Sequence, residues 1–297
     1  MKGLFYKLTL GILTVVAGHM QAQINVDFKV ERTAFISHEP VVGQLTIKNN
    51  AGQDLIMAGK NGGEWLEFRI TDGNGRTVPP TQGIEKRKPI VIGAGKTYKA
   101  NVTVNRNYPL GSSGVYRITA LVNFPQINRV FSPPRPVTVN ISEGVKMWSQ
   151  VFGVPVGREN AGAYREYSIL TQHFGARQKT LYFRLADADN GLVRKTYPIG
   201  DYLMVRPPKY VVDAKNQLHV FHMAGPKSYV YTIIDVDGKA LDQQVYVNKG
   251  TSIPDMVTNG ANEVAVIGGM TLAESRETYE NREFRNASER PPGLPQL

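Results

Sequence analysis

Two histidines, His219 and His222, stand three residues apart, a spacing that lets both reach one metal ion when the segment is helical. Their surroundings read instead as a strand from Leu218 to Met223, which turns the two rings to opposite faces and divides them. No zinc site is expected there. Ser37-His38 sets a nucleophile type beside a base type, but adjacent residues seldom converge and no nucleophile-elbow pattern surrounds them. Asp187-x-Asp189-Asn190-Gly191 and Asp235-x-Asp237-Gly238 gather short oxygen ligands around a glycine, as calcium loops do. They lack the distal bidentate glutamate, and Asp and Gly favour tight turns for backbone reasons alone, so hairpins are expected and no metal. Gly93-Ala94-Gly95-Lys96 opens no helix and reads as a turn rather than a phosphate cradle. Glu31, Glu39, Glu64 and Glu67 scatter around strand ends without forming a carboxylate pair. These patterns predict no catalytic residue and no cofactor. The tyrosines remain. Tyr229 and Tyr231 share one strand face opposite Val230, and Tyr182 sits between Leu181 and Phe183. Such rings can contact a partner protein or stack on a glycan, but packing against the other domain is their expected use.

The elements that position these groups come from a chain of 297 residues with a net charge of +10. Residues 1–22 read as a signal peptide: Lys2 and Lys7, a short apolar run from Leu8 to Ala17, and Ala22 at the cleavage end. Removing that segment, with its two lysines and no acids, lowers the charge from +10 to +8. No later stretch is long and apolar enough for a membrane span. Zero cysteines exclude disulfides, thiol catalysis and Cys-ligated metal. The dense basic cluster Lys86-Arg87-Lys88 lies in a loop before Pro89. Nucleic-acid binding asks for a basic stripe with aromatic platforms or a reading helix, and the sequence offers neither.

Residues 23–143 alternate as short strands separated by turn residues. Val26, Phe28 and Val30 share a face, as do Val41, Leu45 and Ile47, then Leu66, Phe68 and Ile70. Asp72-Gly73-Asn74-Gly75 ends the third run with residues that tolerate positive φ. Tyr98, Ala100, Val102 and Val104 follow, then Tyr116, Ile118, Ala120 and Val122, and a last run from Val137 to Ile141. Glu39-Pro40-Val41-Val42 with Leu45-Thr46-Ile47-Lys48-Asn49, Gly114 to Ala120, and Pro136-Val137-Thr138-Val139 resemble strands of bacterial immunoglobulin-like domains over residues 25–141. The resemblance implies an immunoglobulin-like β-sandwich, with Tyr116 as its corner tyrosine and Trp65 as a loose stand-in for its core tryptophan. It lacks the cysteine pair of antibody domains.

Residues 144–273 hold an internal repeat. Lys179 to Gly191 matches Lys227 to Gly238 at an offset of 48, and Tyr210-Val211-Val212-Asp213 with Leu218-His219-Val220 matches Asp255 to Thr258 with Glu263 to Val266 at 45. The copies resemble blades of bacterial β-propellers. Two blade-like meander repeats are too few to close a ring, which takes about four. A second antiparallel β domain is therefore expected, built from two meanders and the segment Val145 to Thr171, with open edges that need a neighbour. Residues 274–297 read as a flexible tail with a short helix near Thr278 to Arg285.

The expected whole is an exported all-β protein, periplasmic or at the cell surface. Its expected role is a non-enzymatic binding or structural protein whose partner is another envelope or surface protein. An anionic glycan or polyanion ligand is the first alternative, resting on the tyrosines and the charge. An unrecognised hydrolase or accessory subunit is the second, and no motif supports it.

Overall fold

A computed structural model describes residues 24–59, 64–81, 87–174, 178–260 and 262–283. Residues 1–22, read from sequence as a signal peptide, Lys86 of the basic cluster and the tail beyond residue 283 lie outside the described residues. Within them the chain is all-β apart from two single-turn helices and one terminal α-helix, and no helix is long and apolar enough to cross a membrane.

The first ten strands are β1 (Ile24–Val30), β2 (Ala34–Ile36), β3 (Val42–Asn49), β4 (Leu55–Met57), β5 (Leu66–Thr71), β6 (Ile90–Ile92), β7 (Thr97–Thr103), β8 (Gly114–Phe124), β9 (Arg129–Phe131) and β10 (Val137–Ser142). They form a three-stranded sheet β1-β3-β7, a sheet β2-β10-β8-β5 with β9 beside β8, and a small β4–β6 ribbon. Alternation builds this arrangement: Phe28, Leu45, Ile47, Ile70, Ile118 and Val122 point inward from both sheets into one apolar core. The chain changes sheets between Val30 and Ala34. β1 runs antiparallel to β3, whereas β2 pairs parallel with β10. Tyr116 Oη donates to the Ser112 carbonyl at 2.9 Å, tying the start of β8 to the preceding loop. Trp65 is fully buried; its Nε1 donates to the Lys88 carbonyl and its ring meets Tyr98 edge-on. The three-residue strands β2, β4, β6 and β9 are too short for alternation to reveal.

The second half runs β11 (Val145–Gly153), β12 (Tyr164–Phe174), β13 (Gln178–Asp187), β14 (Val193–Tyr202), β15 (Lys209–Val212), β16 (Leu218–Gly225), β17 (Ser228–Ile234), β18 (Ala240–Val247), β19 (Asp255–Thr258), β20 (Val264–Ile267), β21 (Met270–Thr271) and α1 (Leu272–Glu283). β11 to β14 form one antiparallel sheet in sequential order, and β15 to β18 form a second with β21 added outside β18. The segment from Val145 thus supplies the first two strands of the first meander. Tyr167, Ile169, Phe183, Leu185, Leu218 and Val220 meet between the two sheets. The opposite face of the second sheet carries Phe221, Met223, Tyr229 and Tyr231, covered by Met256, Val264 and Val266 of the two-stranded β19–β20.

That ribbon repeats the start of the second meander at an offset of 46. The Asp213 amide donates to the Gln217 carbonyl, and the Asn259 amide donates to the Glu263 carbonyl. Asn216 and Asn262 take the same left-handed φ, 58° and 60°. Tyr210 pairs with Val220 as Met256 pairs with Val266. The offset of 45 expected from sequence is one residue short, and in a strand one residue exchanges the faces. The array is therefore two four-stranded meanders and half of a third.

The half unit ends at Gly268-Gly269, both in the left-handed region at φ 71° and 64°. A Cβ on Gly268 would stand 2.6 Å from the Ile253 carbonyl oxygen, and one on Gly269 2.3 Å from Pro254 Cγ, so only glycine fits this return. The chain then lays Met270 against Val247 of β18 and enters α1. Thr271 caps the helix: its Oγ1 accepts from the Glu274 amide, and the Glu274 carboxylate accepts from the Thr271 amide at 2.7 Å. The helix expected near Thr278 begins six residues earlier because of this capping box.

Candidate functional site

The three tyrosines singled out from the sequence are all buried, so none can stack on a sugar ring or meet an incoming partner. Tyr182 has no exposed surface; Tyr229 and Tyr231 are 3% and 7% exposed. Tyr182 lies on the face of the first meander that meets the sandwich, packed with Leu170 and Ile36. Its hydroxyl accepts from Arg32 Nη1 at 2.8 Å, and burial pushes its pKa up to about 12. Tyr229 stacks on Phe221 at 5.5 Å under the half meander. Tyr231 Oη lies 2.7 Å from His219 Nδ1, whose Nε2 is 3.3 Å from Asp213. Alternation along a fully buried sheet gave the correct shared face and the wrong exposure, because the half meander covers it.

The histidines divide as their strand requires. His219 meets Tyr231 of the cluster under β19–β20, while His222 faces the first meander, where a Cβ on Gly200 would come within 3.1 Å of its Nε2. Ser37 and His38 do not form a pair. Ser37 Oγ donates to Glu143 Oε2 at 2.7 Å, and His38, in a left-handed turn at φ 66°, packs on Gly111. In the Asp-rich turns the carboxylates serve amides and arginines. Asp235 Oδ1 accepts from the Asp237 and Lys239 amides, Asp237 pairs with Arg158 and Arg165, and Asp187 pairs with Arg194. Arg165, itself buried, also donates to the Val236 carbonyl at 2.8 Å and so fastens the first meander to the turn of the second.

Two surfaces emerge that residue types alone did not single out. The first is the junction between sandwich and first meander, centred on β2. Arg32 donates to Tyr182 and Glu39, and its guanidinium lies 4.4 Å over the Phe35 ring. Burial pushes the Glu39 carboxyl up in spite of Arg32, while its Oε2 accepts from the Ile36 amide. Arg184 Nη2 donates to the Ser37 carbonyl and hydroxyl at 2.8 and 2.9 Å. Beside this latch opens a cleft of about 250 Å³ lined by Glu31, Arg32, Phe35, Glu39, Val42 and Tyr197.

The second surface is the open end of the array. Met256, Val264 and Val266 bury one face of β19–β20, whereas Ile267, on the other face, is 54% exposed. β20 pairs with β19 on one edge, and among the described residues no strand pairs with the other. Because Asn259 and Glu263 form a hydrogen-bonded pair, the bonded pairs continue at 257/265 and 255/267. The amides and carbonyls of Val264 and Val266 therefore point out along the unpaired edge. Its sequence, Val-Ala-Val-Ile, carries none of the lysines or prolines that blunt natural edges. The signal for this surface was in the sequence as a second repeat match that stopped after two strands.

No family profile matches the chain, and no curated protein matches it. Among solved structures it is similar to the crystal structure of Spo0M, sporulation control protein, from Bacillus subtilis, at 10% identity over 88% of this chain and 95% of that one. The TM-score is 0.27, and a likeness at that level carries no functional argument.

Proposed function

We propose that the protein is an exported, non-enzymatic binding module of the cell envelope or surface that acts through protein–protein interaction. In this reading residues 1–22 direct export and are removed near Ala22. Residues 25–141 form an immunoglobulin-like domain, a detail supported by the sheet switch between β1 and β2, the strand order and the Tyr116–Ser112 corner bond. Residues 144–273 form a blade-like array seated on it. The observation that carries the reading is the half meander: a repeat that stops after two strands, with an apolar edge held out by a glycine pair that admits no other residue. Sandwich and latch hold the near end of the array in place and leave the far end to meet a partner. The tyrosines that would have favoured a glycan ligand lend it no support, since their rings are buried.

Affinity capture from the native envelope with residues 23–297 as bait tests this. The expected result is one protein retained saturably and insensitive to moderate salt. Retention only of anionic glycan, lost as salt rises, would overturn the reading in favour of a polyanion-binding role.

A further inference from the structure

We infer that the open edge of β20 receives an extended strand from a separate polypeptide, in the register that β17 takes on β16; this deepens the proposed role and rests on it. The equivalence is set by the chain itself. Leu218 and Val220 of β16 correspond to Val264 and Val266 of β20 at the offset of 46. In the second meander, Val220 pairs with Thr232 and Leu218 with Ile234 of β17. In the third, the same edge stands without a strand among the described residues, with four backbone polar groups of Val264 and Val266 aimed along it. Strand addition satisfies such groups directly.

The chemistry of the occupant follows from β17. That strand turns Val230, Thr232 and Ile234 toward the preceding meander, where Thr232 and Ile234 have no exposed surface and Val230 is 9% exposed. A strand on β20 would face the same kind of surface, the part of the second sheet beside the covered tyrosines where Ile233 and Tyr246 are only partly buried. Its recognised features are thus β-branched residues at alternate positions, no proline at the bonding positions, and no charge on the inward face. A second copy of this chain is the poorer fit. Its β20 comes backed by its own β17 and β18, which would need the volume that these strands hold in the first copy.

The test uses the mature chain and a synthetic peptide carrying residues 227–236, which holds the β17 sequence. Binding is followed by fluorescence polarisation, with amide exchange of Val264 and Val266 read by NMR. Saturable binding is expected, and exchange at both amides slows by about tenfold or more at saturation, as new backbone bonds require. Val266→Pro removes one outward amide and leaves the β19 ladder intact, so affinity falls by about tenfold. If that variant unfolds, Val264→Pro at the start of the strand gives the same reading. Absence of saturable binding, or binding that leaves both amides unchanged, overturns the inference. So does a concentration-dependent dimer that Val266→Pro dissolves, because self-pairing would then fill the edge. So does faster exchange at the two amides when residues 284–297 are deleted, because the chain's own end would then be the occupant. An envelope protein captured equally well by Val266→Pro sinks this inference and leaves the broader reading standing. Failure to capture any protein sinks that reading instead.

Discussion

Arg184 on β13 reaches Ser37, 147 residues earlier in the chain, and its Nη2 holds both the carbonyl and the hydroxyl of that serine. Ser37 Oγ in turn donates to Glu143, so a half-buried guanidinium, a serine and a carboxylate close the seam between sandwich and array. Burial lowers the Arg184 pKa, with Glu143 acting against it, so the cation costs desolvation that these bonds must offset. Arg184→Met keeps the stem and removes the donors. It should lower stability by about 2 kcal/mol, the worth of charge-assisted hydrogen bonds, and make the segment around Ser142 to Val145 easier to cleave. Urea denaturation and limited proteolysis check this; unchanged values of both would show that the seam is held by apolar contact alone.

His222 gives the fold an acid limit. Buried between the two meanders, its pKa falls to about 4, with desolvation outweighing the Asp201 backbone. The neutral ring is the folded form, while in the unfolded chain the group titrates near 6.5. Below that value the unfolded state binds the extra proton, so stability is complete above about pH 6.5 and falls as pH drops toward 4, by roughly 3 kcal/mol. The corresponding position in the first meander is Leu170, which suggests the control. His222→Leu should flatten the stability difference between pH 7 and 4.5 measured by urea midpoint. Parallel curves for the two proteins would remove His222 as the cause.

Chelation should leave the melting temperature unchanged. Asp187, Asp235 and Asp237 already serve Arg194, backbone amides, and the Arg158–Arg165 pair. An ion bound to the native state would raise stability by mass action. A clear fall in melting temperature with EDTA, restored by calcium alone, would contradict the assignment of these turns to arginine.

The long strands were legible in the sequence because alternation needs only one buried face, as in β1, β5 and β8. The repeat was legible too, including the shared face of Tyr229 and Tyr231. Their burial was not, because it depends on β19–β20 folding back over them, a contact no local pattern encodes. The junction was hidden for a related reason. Tyr182 stands where the second copy has Val230, and Arg184 where it has Thr232; these departures mark the face that meets a sandwich instead of another meander. Read as exceptions to the repeat, they would have pointed to the seam. Thr271 to Glu274 was a visible capping box that the polar composition of the tail obscured.

Amide hydrogen exchange on the mature chain alone tests the central claim most directly, that the array ends in an open edge. The outward amides of Leu218 and Val220 are covered by β17, and those of Val264 and Val266, at the matching positions, face no strand among the described residues. Val264 and Val266 should exchange faster than Leu218 and Val220 by about two orders of magnitude, as an uncovered edge does beside a paired one. Equal protection at all four amides would mean that the chain closes its own third meander, and the account of an open, partner-seeking end would be wrong.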